Sequence, residues 1–251
     1  MPFGFGNRPG PEHEQTPEQL SAEAFYDEML GDNYWEREIV EEHLRLYNSE
    51  KDLDKLVKFY NQEYKKRSIH NKEIRDPKIV RGEQVISRFL SEHEKYLKQH
   101  EVSLYIVGSH VTGHPRNYDL DDIWVTERYD RDVDAIRSEW RSELTHQWKS
   151  IGGDETEDAY ADLETITQHA QQVSLGNTRF VRNNAHFIFA SANSVSKIVG
   201  GLCRYSPSPQ IQRTIESKAA DIIKKNRFFA TEVAMTLRDA ILLAQERSRR
   251  R

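Results

Sequence analysis

Apolar residues recur at helical spacing over the first hundred residues of the chain. Residues 18–68 carry three apolar stripes, which are separated by two turn-forming segments, Gly31-Asp32-Asn33 and Asn48-Ser49. A fourth stripe starts at Asp76-Pro77, where aspartate suits the N-cap and proline suits the first turn, and it ends at His100. The pattern therefore predicts four consecutive amphipathic helices.

From residue 102 the spacing of apolar residues indicates two strands. The first run, residues 102–107, is rich in β-branched side chains and stops at Gly108-Ser109. After a short loop, the second run opens with Asp119-Leu120-Asp121. Because side chains alternate along a strand, Asp119 and Asp121 share one face while Leu120 points to the core. The segment predicts adjacent strands that bring a Gly-Ser corner and two carboxylates together.

The remainder of the chain is predicted to mix helices with short strands. The pattern indicates a helix over residues 131–150, a strand over 160–167, strands over 179–182 and 185–190 joined by a turn at Asn183-Asn184, and helical structure over 211–247 with a break near Asn226. The expected fold class is α+β, a mixed β-sheet backed by helices, with helical N-terminal and C-terminal extensions. The chain is then divided into a Gly- and Pro-containing disordered arm (1–17), an N-terminal helical segment (18–77), a core (78–205) and a C-terminal helical segment with a basic tail (206–251).

Asp119 and Asp121 are candidate metal ligands. Two carboxylates held side by side repel each other unless a cation lies between them, and Mg²⁺, a hard ion that prefers oxygen ligands, suits such a pair. Gly108 allows the backbone to approach a phosphate closely, and the Ser109 hydroxyl with nearby N–H groups can bind phosphate oxygens. These residues together predict a site for Mg²⁺ and a triphosphate.

The same residues carry a resemblance to a known family. Gly108-Ser109, followed after nine residues by Asp119-Leu120-Asp121, resembles the signature of the DNA polymerase beta-like nucleotidyltransferase superfamily, which includes aminoglycoside and protein adenylyltransferases, CCA-adding enzymes and toxin-type members. The resemblance implies that the Gly-Ser pair holds the triphosphate of an NTP and that both aspartates bind Mg²⁺. It also implies transfer of an NMP, most simply AMP, to a hydroxyl acceptor with release of pyrophosphate. The chain departs from the family at Asp122, where an apolar residue is usual, and that side chain is expected to point away from the site.

The family also uses a third carboxylate from a later strand, and two residues are candidates for it. Asp162 and Glu164 fall on one face of the strand predicted over residues 160–167, so either can complete the acidic set and its metal ligands. Leu163-Glu164-Thr165-Ile166 resembles the corresponding strand of aminoglycoside adenylyltransferases, in which a glutamate serves as base. Ala161-Asp162-Leu163 resembles the polymerase-type version. Glu164 is the preferred candidate, and both are retained.

Basic residues further along the chain are candidates to neutralise a triphosphate or the departing pyrophosphate. They are Arg179, Arg182, Lys197 and Arg204. Local basic stretches at residues 65–75 and 247–251 are candidate contacts for RNA, although the net charge of −5 argues against a surface built overall for nucleic acid. The acceptor is therefore a small molecule, a protein or RNA. An RNA- or tRNA-directed toxin or tailing enzyme, and a catalytically inactive nucleotide-binding protein, are the alternatives.

The composition of the chain indicates the cellular compartment in which we expect the protein. No apolar run approaches the ~18 residues of a membrane span, and the N-terminus lacks the charged-then-apolar layout of a signal peptide. The single cysteine, Cys203, excludes an internal disulfide. We therefore expect a cytoplasmic protein without a membrane partner.

Overall fold

The computed structural model describes residues 15–31, 37–67, 77–112, 119–154 and 156–249. The helices within these ranges are α1 (Pro17–Gly31), α2 (Arg37–Asn48), α3 (Glu50–Arg67), α4 (Pro77–Gln99), α5 (Gly108–Thr112), α6 (Arg131–Ser150), α7 (Leu163–Ser174), α8 (Thr178–Gly200), α9 (Pro209–Lys225) and α10 (Arg227–Arg249). The strands are β1 (Ser103–Val107), β2 (Leu120–Thr126), β3 (Thr156–Asp162) and β4 (Leu202–Tyr205). The predicted α+β class is thus confirmed.

The four strands form one mixed sheet in the order β3-β2-β1-β4. Strand β1 runs antiparallel to both β2 and β4, whereas β2 and β3 are parallel and are connected through α6. In this register Val107 lies opposite Asp121, and Asp121 lies opposite Glu157 on the other side. The sheet therefore brings the end of β1 and the beginnings of β2 and β3 to one corner.

Helices cover both faces of the sheet. On one face the Trp124 ring lies 6.4 Å from Phe89 of α4 and 5.8 Å from Trp140 of α6, measured between ring centroids. Helix α8 contacts β1, β2 and β3, and its buried side chains, among them Val195 and Ile198, join the same core. Burial of the sheet on both faces explains why β1 is buried at every position and why residues 104–107 form a continuous apolar run instead of alternating.

Local patterns located most of the helices and the first two strands correctly. The helices predicted over residues 18–68, 77–100 and 131–150 are present, as are β1, β2 and the break at Asn226. The chain after Val107 is not entirely loop, because Gly108–Thr112 forms a short helix. The predicted arm up to residue 14, residues 68–75 of the basic stretch and residues 250–251 of the basic tail lie outside the described residues. Among the described helices, none has the length and apolarity needed to cross a membrane.

The strand predicted over residues 160–167 is wrong in its position. The strand is Thr156–Asp162, and a helix begins at Leu163. The Asp162 side chain caps this helix by accepting a hydrogen bond of 2.7 Å from the backbone N–H of Thr165. Buried side chains recur at helical spacing after it, at Leu163, Ile166, Ala170 and Val173. This spacing shows why the chain turns into a helix immediately after Asp162.

The two strands predicted over residues 179–190 are also wrong, because this segment belongs to α8. Asn177 caps the helix by accepting a hydrogen bond of 3.0 Å from the Phe180 backbone N–H. The Asn183-Asn184 pair does not form a turn, but Asn184 has non-helical dihedral angles (φ −128°, ψ 18°) and marks a kink. Strand β4, which the sequence pattern did not predict, follows directly after α8.

Replacing Asn226 with alanine is expected to destabilise the fold by about 2–3 kcal/mol, because buried polar partners would lose their hydrogen bonds. Asn226 is 1% exposed. Its Nδ2 donates to the Ala170 carbonyl oxygen at 2.6 Å and to Ser174 Oγ at 2.9 Å, and its Oδ1 accepts from the Phe229 backbone N–H at 3.2 Å. Urea unfolding measures the change. The exposed Asn183→Ala provides the control, with a shift within about 0.5 kcal/mol. Equal midpoints for the two variants would contradict the assigned role of Asn226.

Candidate functional site

The candidate site lies at the corner where β1 ends in the Gly108 turn. Gly108 has φ +69°, which glycine adopts without the steric penalty of other residues. A Cβ atom added there would overlap the carboxylate of Asp121, with the Oδ2 atom nearest. The turn and the carboxylate are therefore in direct contact, as the spacing of Gly108-Ser109 and Asp119-Leu120-Asp121 predicts. The side chain of Ser109 lies outside the described residues.

Asp121 lies among charged groups. Its burial raises the pKa of the carboxyl to about 6; Lys197 lowers this pKa, and the neighbouring Glu157 and Asp119 raise it. The predicted proximity of Asp119 and Asp121 is thus present in the fold. A buried carboxyl with a raised pKa and two acidic neighbours gains from a nearby cation.

Glu157 is the site residue that sequence reasoning missed. It lies directly opposite Asp121 in the parallel pairing of β2 and β3. Paired residues on adjacent strands project to the same face, so Glu157 places a third carboxylate beside Asp121. Glu157 is exposed to solvent, unlike the half-buried Asp121. Recognising Asp162 as a helix cap would have ended the strand there and directed attention to the acids upstream.

Asp162 and Glu164 are not brought to this corner. Asp162 lies opposite Thr126, at the other end of the parallel ladder. It is five residues beyond Glu157, roughly 16 Å along the strand, and on the opposite face because the separation is odd. Glu164 lies in the first turn of α7, where its carboxylate is 3.5 Å from Arg128 Nε. The prediction that these two residues share a strand face beside Asp121 is therefore wrong.

Of the predicted phosphate-binding cations, Lys197 is close to the carboxylates. It lies in the last turn of α8, and close packing of Gly201 against Val107 and the Lys197 carbonyl brings this helix end to the β1 corner. Arg179 and Arg182 are exposed near the other end of α8, at least 15 residues and roughly 22 Å along the helix from Lys197. The fold does not bring either arginine to the corner.

A buried network supports the helix that follows Gly108. His110 Nε2 is 2.7 Å from Glu83 Oε1, and the second oxygen of Glu83 pairs with Arg204. The His110 side chain is fully buried. The network links α4, α5 and β4, so it fixes the position of the turn from behind. Arg204, which the sequence suggested as a phosphate-binding residue, forms an ion pair with Glu83 in this network.

Asp122 points away from the carboxylate face, as its position in the strand predicts. It is 2% exposed and accepts a hydrogen bond of 2.7 Å from Trp124 Nε1. Burial and the nearby Asp158 raise the pKa of Asp122 to about 7. Asp158 itself forms ion pairs with Arg137 and Arg141 of α6. Asp122 thus belongs to a buried polar cluster behind the site.

Asp119, Asp121 and Glu157 offer the oxygen donors that suit Mg²⁺. The pKa of Asp121 is raised because its burial, together with Glu157 and Asp119, outweighs the lowering effect of Lys197. Within the described residues, the donor atoms of these three side chains do not all lie within 4.8 Å of one another. Binding one ion through all three would therefore require side-chain rotation, which is open to the exposed Glu157.

Comparison with known proteins adds no relative. No protein-family model matches the chain, and neither a curated protein nor a solved structure matches it. The functional argument therefore rests on the geometry of this corner and on the residues that form it.

Proposed function

We propose that this protein is a Mg²⁺-dependent nucleotidyltransferase that moves an NMP, AMP in the first instance, from an NTP to a hydroxyl acceptor. The observation that carries the proposal is the contact between the Gly108 turn and the Asp121 carboxylate, with Glu157 in register on the next strand. Acidic ligands beside a glycine turn are what a metal-bound triphosphate requires. The resemblance to the polymerase beta-like superfamily points to the same chemistry.

The proposed roles follow from position. Asp119, Asp121 and Glu157 would hold Mg²⁺, which when bound neutralises phosphate charge and lowers the pKa of the acceptor hydroxyl. Gly108 and Ser109 would hold the β and γ phosphates. Lys197, which already lowers the pKa of Asp121, would offset the charge of the departing pyrophosphate.

Glu157 is the proposed base. Its exposed carboxylate can receive a proton from an acceptor that approaches from solvent. The acceptor oxygen then forms a bond to the α-phosphorus, and the bond from that phosphorus to the β-phosphate oxygen breaks. The proton remains on Glu157 and pyrophosphate leaves. The in-line displacement therefore needs no reactant other than the NTP and the acceptor, because Glu157 takes the proton and pyrophosphate is the leaving group.

Glu157→Gln is expected to reduce nucleotide transfer by about 10²-fold or more, because the variant removes the base and a metal ligand. The measurement incubates protein and Mg²⁺ with each of four α-³²P-labelled NTPs, alone, with total RNA and with cell lysate. Glu164→Gln is the matched control and should retain wild-type transfer, because Glu164 lies in the first turn of α7, away from Asp121, and pairs with Arg128. The opposite ranking of the two variants would reject Glu157 and restore Glu164 as the third carboxylate.

The position of the label identifies the acceptor. Label on RNA would favour an RNA-directed transferase, and its loss with increasing salt would follow from release of counterions by phosphate contacts. Label on a protein band would indicate a protein-directed transferase, and label on a small molecule would indicate a small-molecule-directed transferase. No transfer with any NTP, together with no Mg²⁺-dependent NTP binding, would reject the proposed function.

A further inference from the structure

A second group of metal-ligating side chains lies on the layer behind the sheet. It consists of Glu92 and His93 on α4 and Glu143 on α6. One ligand atom from each lies within 4.8 Å of the others, and the described residues contain no other group of three His, Cys, Asp or Glu that meets this distance. The group is separate from Asp119, Asp121 and Glu157, which lie at the β1 corner.

The imidazole of His93 is held in a fixed orientation. Its ring stacks on Trp140 with centroids 3.7 Å apart and an interplanar angle of 22°, and it meets Phe89 edge-on at 4.6 Å. The Nε2 atom is buried and has no hydrogen-bond partner among the described residues. It faces Glu143 Oε2 at a distance of 3.4 Å. A buried ring nitrogen that forms no hydrogen bond is available to coordinate an ion.

Glu143 is oriented as well. Its Oε1 accepts a hydrogen bond of 3.1 Å from Gln147 Nε2, one turn further along α6. The other oxygen, Oε2, is the one that faces His93. Outer hydrogen bonds of this kind orient ligating carboxylates in metal sites and tune the affinity for the ion.

We propose that Glu92, His93 and Glu143 bind Zn²⁺, with water completing the coordination. Zinc binds imidazole nitrogen and carboxylate oxygen at about 2.0–2.2 Å, so two ligand atoms of a tetrahedral site lie roughly 3.4 Å apart. The observed separation of His93 Nε2 and Glu143 Oε2 is 3.4 Å. Glu92 is exposed and can rotate to supply the third ligand. The ion would join α4 to α6 and stabilise the layer behind the sheet.

Zinc titration of protein without an affinity tag tests the site. Isothermal titration calorimetry should give one site in the wild type, and Zn²⁺ should raise the melting temperature. His93→Phe keeps an aromatic ring against Trp140 but removes the nitrogen ligand, so affinity should fall more than 10-fold. Gln147→Ala, which frees the Glu143 carboxylate, should weaken binding by about 10–100-fold. Co²⁺ should quench tryptophan fluorescence in the wild type because the ion would lie beside Trp140.

The control is His146→Phe, which removes an exposed histidine from α6, the helix that carries Glu143, and should leave zinc affinity unchanged. If His93→Phe does not fold, as judged by circular dichroism, Glu143→Gln replaces it with the same expected loss. Wild-type protein that binds no zinc, or zinc binding that is equal in the wild type and the folded ligand variant, would overturn the proposal. Nucleotide transfer is not used as a readout, so failure of the zinc site and failure of the proposed activity are distinguishable.

Discussion

Asp121→Asn is expected to remove nucleotide transfer while making the folded protein more stable at neutral pH. Asparagine retains the size of the side chain but loses the charge that would hold Mg²⁺. Loss of such a ligand forfeits several kcal/mol of transition-state stabilisation, so transfer should fall by about 10²–10³-fold or more. Activity is measured by the same label-transfer assay as for Glu157→Gln.

The stability of this variant follows from the pKa of Asp121 in the folded state. Burial, Glu157 and Asp119 raise this pKa from 3.8 to about 6, although Lys197 lowers it. A carboxyl with a raised pKa favours folding while it is protonated. That contribution is lost as the pH rises from about 4 through 6. Above pH 6 the ionised wild type should therefore be less stable than Asp121→Asn by up to about 3 kcal/mol.

Urea unfolding of both proteins at pH 4 and pH 7.5 measures this difference. The two should be nearly equal at pH 4, and the variant should be more stable at pH 7.5. Adding Mg²⁺ should reduce the difference in unfolding free energy between the two proteins at pH 7.5, because only the wild type would bind the ion. Full transfer activity in Asp121→Asn would refute the catalytic assignment, whereas a variant that is less stable at pH 7.5 would refute the electrostatic account of this carboxyl.

Gly108→Ala is expected to lower transfer by about 10²-fold with only a moderate loss of stability. Alanine at φ +69° costs about 1–2 kcal/mol. Its Cβ would overlap the Asp121 carboxylate, and the end of that short side chain must move. Displacement of a reacting group by 1 Å is enough for a loss of this size. The effect on activity should therefore exceed the effect on folding.

Gly152→Ala separates these two effects. Gly152 has φ +82°, but a Cβ there would meet no atom within 4 Å. This variant should lose similar stability in thermal unfolding and retain wild-type transfer. If both variants lose activity equally, backbone strain alone explains the result. If neither does, the contact between Gly108 and Asp121 has no role in the reaction.

Tertiary pairing explains why the third carboxylate could not be found from local patterns. The alternation rule gives the two faces of a strand but does not give the residue that lies beside it in a neighbouring strand. Glu157 meets Asp121 only because β3 pairs parallel with β2 after the chain has passed through α6. Asp162 and Glu164 looked equivalent by spacing, yet Asp162 is a helix cap and Glu164 belongs to the helix.

The proposed zinc ligands are a second example of residues that local sequence patterns cannot bring together. Glu92 and Glu143 are about fifty residues apart in the chain, and no spacing motif connects them. Packing of α4 against α6 brings them together, and Trp140 and Gln147 set the orientation of His93 and Glu143. Such a cluster is visible only when the packed helices are known.

By itself the sequence determined the amphipathic helices, the first two strands, the break at Asn226 and the proximity of Asp119 and Asp121. These features depend on residues a few positions apart, which the periods of the helix and the strand relate directly. The tertiary structure decided the neighbours of Asp121, namely Glu157 and Lys197, and left Asp162, Glu164, Arg179 and Arg182 elsewhere. Strand register and helix packing join residues distant in the chain, and local periodicity contains no information about either.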